Sequence, residues 1–172
     1  MSRSAGMRPL PAKAAMHTEN RVDIRGDIRQ VFHVAAHVEK WPQILPHYRW
    51  VRVLQRKKRR SVVEMAARRG RIPVSWTAVQ ELFPYERITY KHIKGFTAGM
   101  EVAWTFSGGQ GHVQVVITHD FTLNWPLIGG FVGKYIVGGL FVKAIASKTL
   151  RHIKVTVESG QSTDNGPQRA RR

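Results

Sequence analysis

The sequence contains no cysteine, and acidic residues are scarce. Without a thiol, the chain can form no disulfide, and it offers no thiolate as a nucleophile or as a metal ligand. Only 11 aspartates and glutamates stand against 28 lysines and arginines, which gives a net charge of +17. A chain so basic is expected to attract an anionic partner, either a nucleic acid or a lipid surface.

A secretion signal and a metal-ligand motif are also missing. Residues 1–16 contain no continuous apolar run, so no signal peptide is predicted. The protein is expected in the cytoplasm, with a membrane-peripheral location as the alternative. None of the eight histidines joins an acid on one helix in a pattern such as His-x-x-x-His, which predicts no metal site. Glu64, Glu81 and Glu101 fall on three predicted strands and form no evident catalytic pair, and no cofactor is predicted.

The longest predicted element is a helix from Trp125 to Glu158. Its apolar side chains recur at 100° per residue, which puts Phe131, Tyr135 and Ile153 on one face. About thirty residues at 1.5 Å each make a helix of ~45 Å. A helix with so wide an apolar face needs a large apolar surface to lie on, and we expect the rest of the chain to supply it.

The first half of this helix has an unusual composition. Residues 125–146 carry only two charges, Lys134 and Lys143, and are long enough to span a bilayer. Five glycines and the central lysine favour a core helix over a membrane span. Because residues 129–142 are also apolar on the outer face and rich in glycine, we interpret them as the gate of a pocket or as a membrane contact.

Upstream, the chain reads as one strand, two helices and six further strands. A short strand spans His17–Arg25, and Asp27 is a good N-cap for a helix that ends near His37. A second short helix, residues 38–46, is bounded by prolines. From Tyr48 onward the apolar residues alternate with a period of two. The six predicted strands are Tyr48–Gln55, Ser61–Arg68, Ile72–Phe83, Arg87–Lys94, Met100–Phe106 and His112–Leu123.

Short connections make these strands an antiparallel meander. The predicted fold class is α+β, with a curved six- to seven-stranded antiparallel sheet wrapped on the long C-terminal helix and a cavity between them. The predicted domain covers residues 17–158. It is flanked by a basic arm, residues 1–16, and a basic tail, residues 159–172, both predicted to be disordered.

Several local motifs carry a resemblance to a known family. Residues 39–42 read Glu-Lys-Trp-Pro, Trp76 lies mid-strand, and Tyr90-Lys91-His92 leads to Gly95, while residues 100–106 run into a glycine-rich hairpin. Together these motifs resemble the START-like (SRPBCC) superfamily with the helix-grip fold. Within it they are most similar to the polyketide cyclase/dehydrase branch, which includes the coenzyme-Q-binding START-type proteins. The resemblance covers roughly residues 17–158.

The resemblance implies a hydrophobic pocket between the sheet and the C-terminal helix for an aromatic, polyketide, quinone or lipid ligand. In the aromatase/cyclase members, an arginine on the strand that matches Ile72–Phe83 is a proposed catalytic residue. Alignment through Trp76 places Gln80 at that position, and a glutamine amide supplies neither a charge nor a mobile proton. The tryptophan and tyrosine near the family's pocket entrance match Trp41 and Tyr48.

Alternation along the strands gives a candidate lining for this pocket. Large apolar residues share the inner faces with a few polar tips, which is the usual composition of a small-molecule site. The alternative is that these side chains simply fill the core. The predicted ligand-binding residues are Trp41, Tyr48, Val74, Trp76, Gln80, Tyr90, His92, Met100, Val102, Trp104, Phe131 and Tyr135. Weak catalytic candidates are His92, Tyr90 and Gln80.

Two conspicuous patterns receive a structural interpretation. His119 and Asp120 resemble an acid–base pair, but adjacent strand residues point to opposite faces and cannot pair across one site, so neither is counted in the lining. The basic clusters of residues 56–60 and 68–71 lie at consecutive turns of the meander, hence at opposite ends of the sheet. Solvated turns are favoured over contact with an anionic membrane, and no specific nucleic-acid site is expected.

The leading functional hypothesis is a non-catalytic or weakly catalytic carrier of a hydrophobic small molecule such as a quinone, isoprenoid, lipid or polyketide. The alternative is an enzyme, a cyclase or dehydratase that uses the same cavity on a polyketide-like substrate. In that case Tyr48, Gln80, Tyr90 and His92 would orient or protonate an enol. A nucleic-acid-binding protein is the third hypothesis, based on the net charge alone.

Overall fold

A computed structural model describes residues 14–95, 97–109, 111–123 and 140–164. The first strand is followed by helix α1 (Ile28–Ala36), a 3₁₀ turn (Val38–Lys40) and the short helix α2 (Trp41–Ile44), and helix α3 (Leu140–Asp164) follows the sheet. The strands are β1 (Ala14–Ile24), β2 (Tyr48–Lys57), β3 (Arg60–Arg69), β4 (Ile72–Phe83), β5 (Arg87–Gly95), β6 (Glu101–Gly108) and β7 (Val113–Leu123).

The seven strands form one antiparallel sheet in the order β1-β7-β6-β5-β4-β3-β2. Strands β2 to β7 are the predicted meander, and β1 adds to β7 at the far edge. Helix α3 lies over the inner face and is fastened along β1. Asn20 Nδ2 donates to Ser147 Oγ at 2.7 Å, and Lys154 Nζ donates to the carbonyl oxygen of Asp23 at 2.6 Å. The predicted two-layer α+β helix-grip fold is confirmed.

Element boundaries differ from the predicted ones by a few residues. Asp27 caps α1 as expected, since its carboxylate accepts a hydrogen bond from the backbone N–H of Arg29 at 2.8 Å. Strand β1 begins three residues earlier than predicted because its whole length pairs with β7, from Ala14 opposite Leu123 onward. Helix α3 continues six residues beyond Glu158. Residues 125–139 of the predicted helix lie outside the described part of the chain.

Curvature of the sheet has an identifiable cause in its register. The pairing of β4 with β5 shifts between Thr77 and Ala78, so that Ile93 is an extra residue on β5. A bulge of this kind bends and twists the strand that carries it. Two further shifts interrupt the pairing of β2 with β3. Bulges cannot be located from sequence patterns alone, and these three are new information from the structure.

Several carboxylates on the outer face of the sheet are paired with basic residues on a neighbouring strand. Arg52 lies 3.7 Å from Glu64, and Lys91 lies 3.4 Å from Glu101, all on neighbouring strands. Exposed pairs of this type contribute little stability, typically ~0–1 kcal/mol. The two basic clusters lie at the β2–β3 and β3–β4 turns, at opposite ends of β3, as predicted.

Across the described ranges, no helix is both long and apolar enough to cross a bilayer.

Candidate functional site

A cavity lies between the inner face of the sheet and α3. The space that the centre of a water molecule can occupy inside it is about 70 Å³, several times the roughly 10–15 Å³ that a single water needs. Nine of the twelve predicted ligand-binding residues line it: Trp41, Tyr48, Val74, Trp76, Tyr90, His92, Met100, Val102 and Trp104. Helix α3 closes the cavity with Phe141, Val142, Ile145, Ala146 and Thr149.

Of the other three predicted lining residues, only Gln80 is in the described part of the chain, and it is placed differently. Gln80 shares the inner face of β4 and lies beside Tyr90 on β5, but its amide is hydrogen-bonded to the end of α1 and it does not line the cavity. Strand parity gives the face of a side chain and not its depth, and Gln80 is at the level where α1 covers the sheet. Phe131 and Tyr135 lie outside the described residues. Both therefore stay predictions.

The walls of the cavity are aromatic and interlocked. Trp41 packs edge-on against Tyr48, with ring centroids 4.9 Å apart, and lies 5.7 Å from Trp104. Trp76 stacks on His92 at 5.6 Å with an angle of only 8° between the ring planes. The described lining contains no lysine, arginine, aspartate or glutamate. A ligand would therefore meet planar apolar surfaces and a small number of neutral polar groups.

Several of these polar groups are already committed to protein partners. Trp41 Nε1 donates to the carbonyl oxygen of Val34 at 3.3 Å. Thr149 donates its hydroxyl proton to the carbonyl oxygen of Ile145 at 2.9 Å, so its oxygen acts as the acceptor for His47 Nε2 at 2.8 Å. The Trp41 bond connects α2 to α1, and the His47 bond connects α3 to the residue that precedes β2. Further polar residues of the lining are Tyr90, His92, Thr97 and His119.

His92 is held in place on two sides. Its ring stacks on Trp76, and its Nδ1 lies 2.5 Å from Thr97 Oγ1 in the β5–β6 turn. Burial lowers the pKa of His92 to about 3, with a smaller contribution from His119. The imidazole is therefore uncharged at neutral pH and presents a fixed edge to the cavity.

His119 is the main site residue that sequence reasoning did not include. It lines the cavity from β7, and burial lowers its pKa to about 4. Asp120 points outward as alternation requires and lies 2.6 Å from His17 Nδ1 on β1. The signal was present in the sequence, because His119 shares its parity with Ile117 and Phe121, which are both buried. Thr97 was missed because it lies in a turn, where alternation gives no face.

Metal ligation finds no support in the described ranges, which contain no cluster of three or more His, Asp or Glu side chains placed to hold an ion. The described cavity lining contains no carboxylate or thiolate, which are common ligands of divalent cations.

Comparison with known proteins gives a family match over most of the chain. Residues 24–136 match the family described as polyketide cyclase/dehydrase and lipid transport. The match runs from the end of β1 through the entire meander, so it includes the described strands that line the cavity.

Individual relatives agree with this match. A 96-residue stretch is 31% identical to the actinorhodin polyketide synthase bifunctional cyclase/dehydratase of Streptomyces coelicolor, covering 54% of this chain. The match spans only 30% of the length of that relative. Among solved structures, the Zhui aromatase/cyclase from Streptomyces sp. R1128 superposes with a TM-score of 0.77 at 21% identity, covering 89% of this chain and 99% of the other. A START superfamily protein from Mycobacterium smegmatis superposes with a TM-score of 0.64 at 16% identity, covering 83% and 97%. At these identities the structural matches establish the fold.

Proposed function

Because this chain belongs to the polyketide cyclase/dehydrase and lipid transport family of the START-like superfamily, we propose that its cavity binds a hydrophobic, largely uncharged small molecule of the polyketide, quinone or related aromatic type. The observation that carries the proposal is the lining itself. Three tryptophans and two tyrosines surround a space without a charged group among the described residues. Burying a planar apolar ligand there is favourable by about 25 cal/mol per Å² of apolar surface.

A blocking substitution on α3 tests the proposal. Ala146 is 4% exposed and faces the cavity, so Ala146→Phe would fill the free space with a phenyl ring. We expect binding of menadione, a small naphthoquinone, to weaken at least about tenfold, while overpacking reduces stability by about 1–3 kcal/mol. Quenching of tryptophan fluorescence measures the affinity, because Trp41, Trp76 and Trp104 line the site. The absence of cysteine removes the reaction of quinones with thiols.

Val155→Phe is the matched control for this experiment. Val155 lies on the same helix but is 58% exposed, so the same added ring should leave menadione affinity unchanged. An Ala146→Phe protein that folds normally and binds menadione as tightly as the control would contradict the proposed site. Extraction of ligands from the protein purified from its own host, followed by mass spectrometry, would identify the natural occupant.

Catalysis in the same cavity is the second candidate, namely an aldol cyclisation followed by loss of water. It is favoured by the two neutral histidines that face the cavity, since an uncharged imidazole can accept a proton from the carbon next to a carbonyl. The similarity to a cyclase/dehydratase supports the same reaction class. Folded-state pKa values of about 3 and 4 make weaker bases than the ideal value near 7, so a modest acceleration is expected.

The conversion of 2,6-heptanedione to 3-methylcyclohex-2-enone tests this candidate. One carbon–carbon bond forms between a methyl carbon and the distant carbonyl, and one water is lost. We expect an acceleration of about 10²-fold over buffer, the lower end for general base catalysis, and a decrease with His92→Ala or His119→Ala. Enone absorbance measures the rate. A rate equal to that in buffer would remove catalysis of this class and leave the binding proposal standing.

Contact with an anionic membrane stays a prediction. It is based on the basic surface and on the apolar segment of residues 129–142, of which residues 129–139 lie outside the described part of the chain. The exposed Leu140 at the start of α3, 64% accessible, is compatible with either a gate or a membrane contact.

A further inference from the structure

The side-chain amide of Gln80 has only one possible orientation. Its Nε2 lies 3.1 Å from the carbonyl oxygen of Ala36 at the end of α1. A carbonyl oxygen can only accept a hydrogen bond, so the Gln80 atom that faces it must be the NH₂ group. The opposite orientation would place two acceptors in contact at a residue that is 2% exposed. Such a contact would lose a hydrogen bond in a buried site.

This orientation determines where the proton of Tyr90 can go. The same Nε2 lies 3.1 Å from the Tyr90 hydroxyl. One amide hydrogen is directed to Ala36 and the other to Tyr90, so the phenol oxygen is the acceptor in the second bond. The phenol proton then needs an acceptor of its own, and within the described part of the chain the hydroxyl makes no second hydrogen bond.

Tyr90 is therefore a prepared donor at the wall of the cavity. The residue is 5% exposed and lines the cavity. Burial raises the pKa of its phenol, while the hydrogen bond from Gln80 acts in the opposite direction. The phenol keeps its proton at any working pH. A buried donor without an acceptor destabilises the site, and a ligand oxygen at this point would remove that cost.

We infer that Tyr90 donates this proton to a carbonyl oxygen of the ligand, and that Gln80 is the residue that positions Tyr90 for this role. The inference rests on the proposed function and names the ligand chemistry at the same site. It predicts that ketones and quinones bind better than hydrocarbons of the same shape. Val102 separates Tyr90 from His119 in the same cross-strand row. A ligand anchored at Tyr90 can therefore extend about 10 Å, two strand spacings, towards His119.

A pair of probes that differ by one oxygen tests the inference. 1-Indanone and indane share a rigid bicyclic skeleton, and only the first has a carbonyl group. With Tyr90→Phe we expect the affinity for 1-indanone to fall about 3- to 10-fold, the range of one hydrogen bond, and the affinity for indane to stay within about twofold. In infrared difference spectra, the carbonyl band of bound 1-indanone should lie at a lower frequency in the wild-type protein than in Tyr90→Phe.

Gln80→Leu tests the positioning role separately. It leaves the phenol and its proton in place but removes the partner that orients it. We expect the carbonyl band of bound 1-indanone to broaden and shift part of the way to its Tyr90→Phe position, with indane affinity unchanged. A purely structural role of Gln80 would instead weaken both probes equally. If Tyr90→Phe does not fold, because one hydrogen of the Gln80 amide loses its acceptor, Tyr90→Phe/Gln80→Leu removes both partners of that bond together.

The outcomes separate this inference from the proposed function. Equal loss of both probes in Tyr90→Phe, or a carbonyl band that does not move, would overturn the donor role while the cavity remains a binding site. If neither probe enters the cavity of the wild-type protein, the proposed function fails and the inference fails with it.

Discussion

Lowering the pH from 8 to 5 is expected to reduce the free energy of unfolding by about 4–6 kcal/mol, because three buried histidines must stay uncharged in the folded protein. His47, His92 and His119 are each less than one tenth exposed. Burial lowers their pKa values from the ordinary 6.5 to about 4, 3 and 4. Typical domains have only ~5–15 kcal/mol of stability in total, so the loss is large enough to unfold a protein of ordinary stability.

The direction follows from which state binds protons. Below pH 6.5 the unfolded chain protonates all three imidazoles, whereas the folded protein keeps them neutral until the pH approaches 3–4. Stability is therefore complete above pH 6.5 and is lost as the pH falls through the window between 6.5 and 4. At pH 5 each histidine favours unfolding by about 2 kcal/mol. Urea unfolding at pH 8, 6 and 5, followed by tryptophan fluorescence, measures the effect.

One substitution assigns a third of this effect to a single residue. His47 Nε2 donates to Thr149 Oγ1, and the amide of His47→Gln can keep that donor without titrating. We expect the difference in stability between pH 8 and pH 5 to shrink by about 2 kcal/mol. A stability that is flat from pH 8 to 5 would contradict the buried, neutral state of the histidines.

Gly95→Ala is expected to reduce the free energy of unfolding by about 3 kcal/mol or more, whereas Gly70→Ala should reduce it by only about 1 kcal/mol. Both glycines have positive φ, +91° and +60°. A Cβ at Gly95 would lie 2.4 Å from the carbonyl oxygen of Ser75 and 2.8 Å from the Cα of Trp76. These are backbone atoms of β4, which cannot move aside as a flexible side chain can.

The comparison with Gly70 isolates the steric part of this effect. A Cβ at Gly70 would meet nothing within 4 Å, so Gly70→Ala carries only the backbone cost of a left-handed conformation. Gly95→Ala must in addition displace Trp76, which stacks on His92 in the cavity wall. We therefore expect it to weaken menadione binding as well as stability. Equal destabilisation by the two substitutions, measured in urea, would show that β4 and β5 are not in close contact at Gly95.

Much of the fold could be predicted because local patterns and tertiary structure agree. The period of two from Tyr48 onward predicts strands, and the glycine and basic turns set their limits to within a few residues. A sheet with one apolar face and one long apolar helix has few ways to pack. Asp27 capped the first helix as its side-chain chemistry requires. These features depend on neighbours in sequence, which is why sequence alone was sufficient.

The site could be predicted only in part, because its chemistry depends on depth and on contacts between distant residues. Alternation placed Gln80 on the correct face but could not show that the end of α1 covers it. The contact of Thr97 with His92 depends on the shape of the β5–β6 turn. The neutral state of His92 and His119 results from burial by residues on other elements. Pairwise hydrogen bonds of this kind leave no periodic trace in the sequence.

The pairing of β1 with β7 has a consequence for how the protein is made. Asn20 pairs opposite Ile117, about a hundred residues later in the chain. Contacts so distant in sequence slow folding, because a long loop must close before the contact is gained. During synthesis the meander of β2 to β6 can form from local hairpins, whereas β1 cannot pair until β7 has been synthesised. The hydrogen bond from Asn20 to Ser147 also cannot form until α3 has been synthesised. The ribosome therefore has to release the chain as far as α3 before β7 and α3 can both close the cavity.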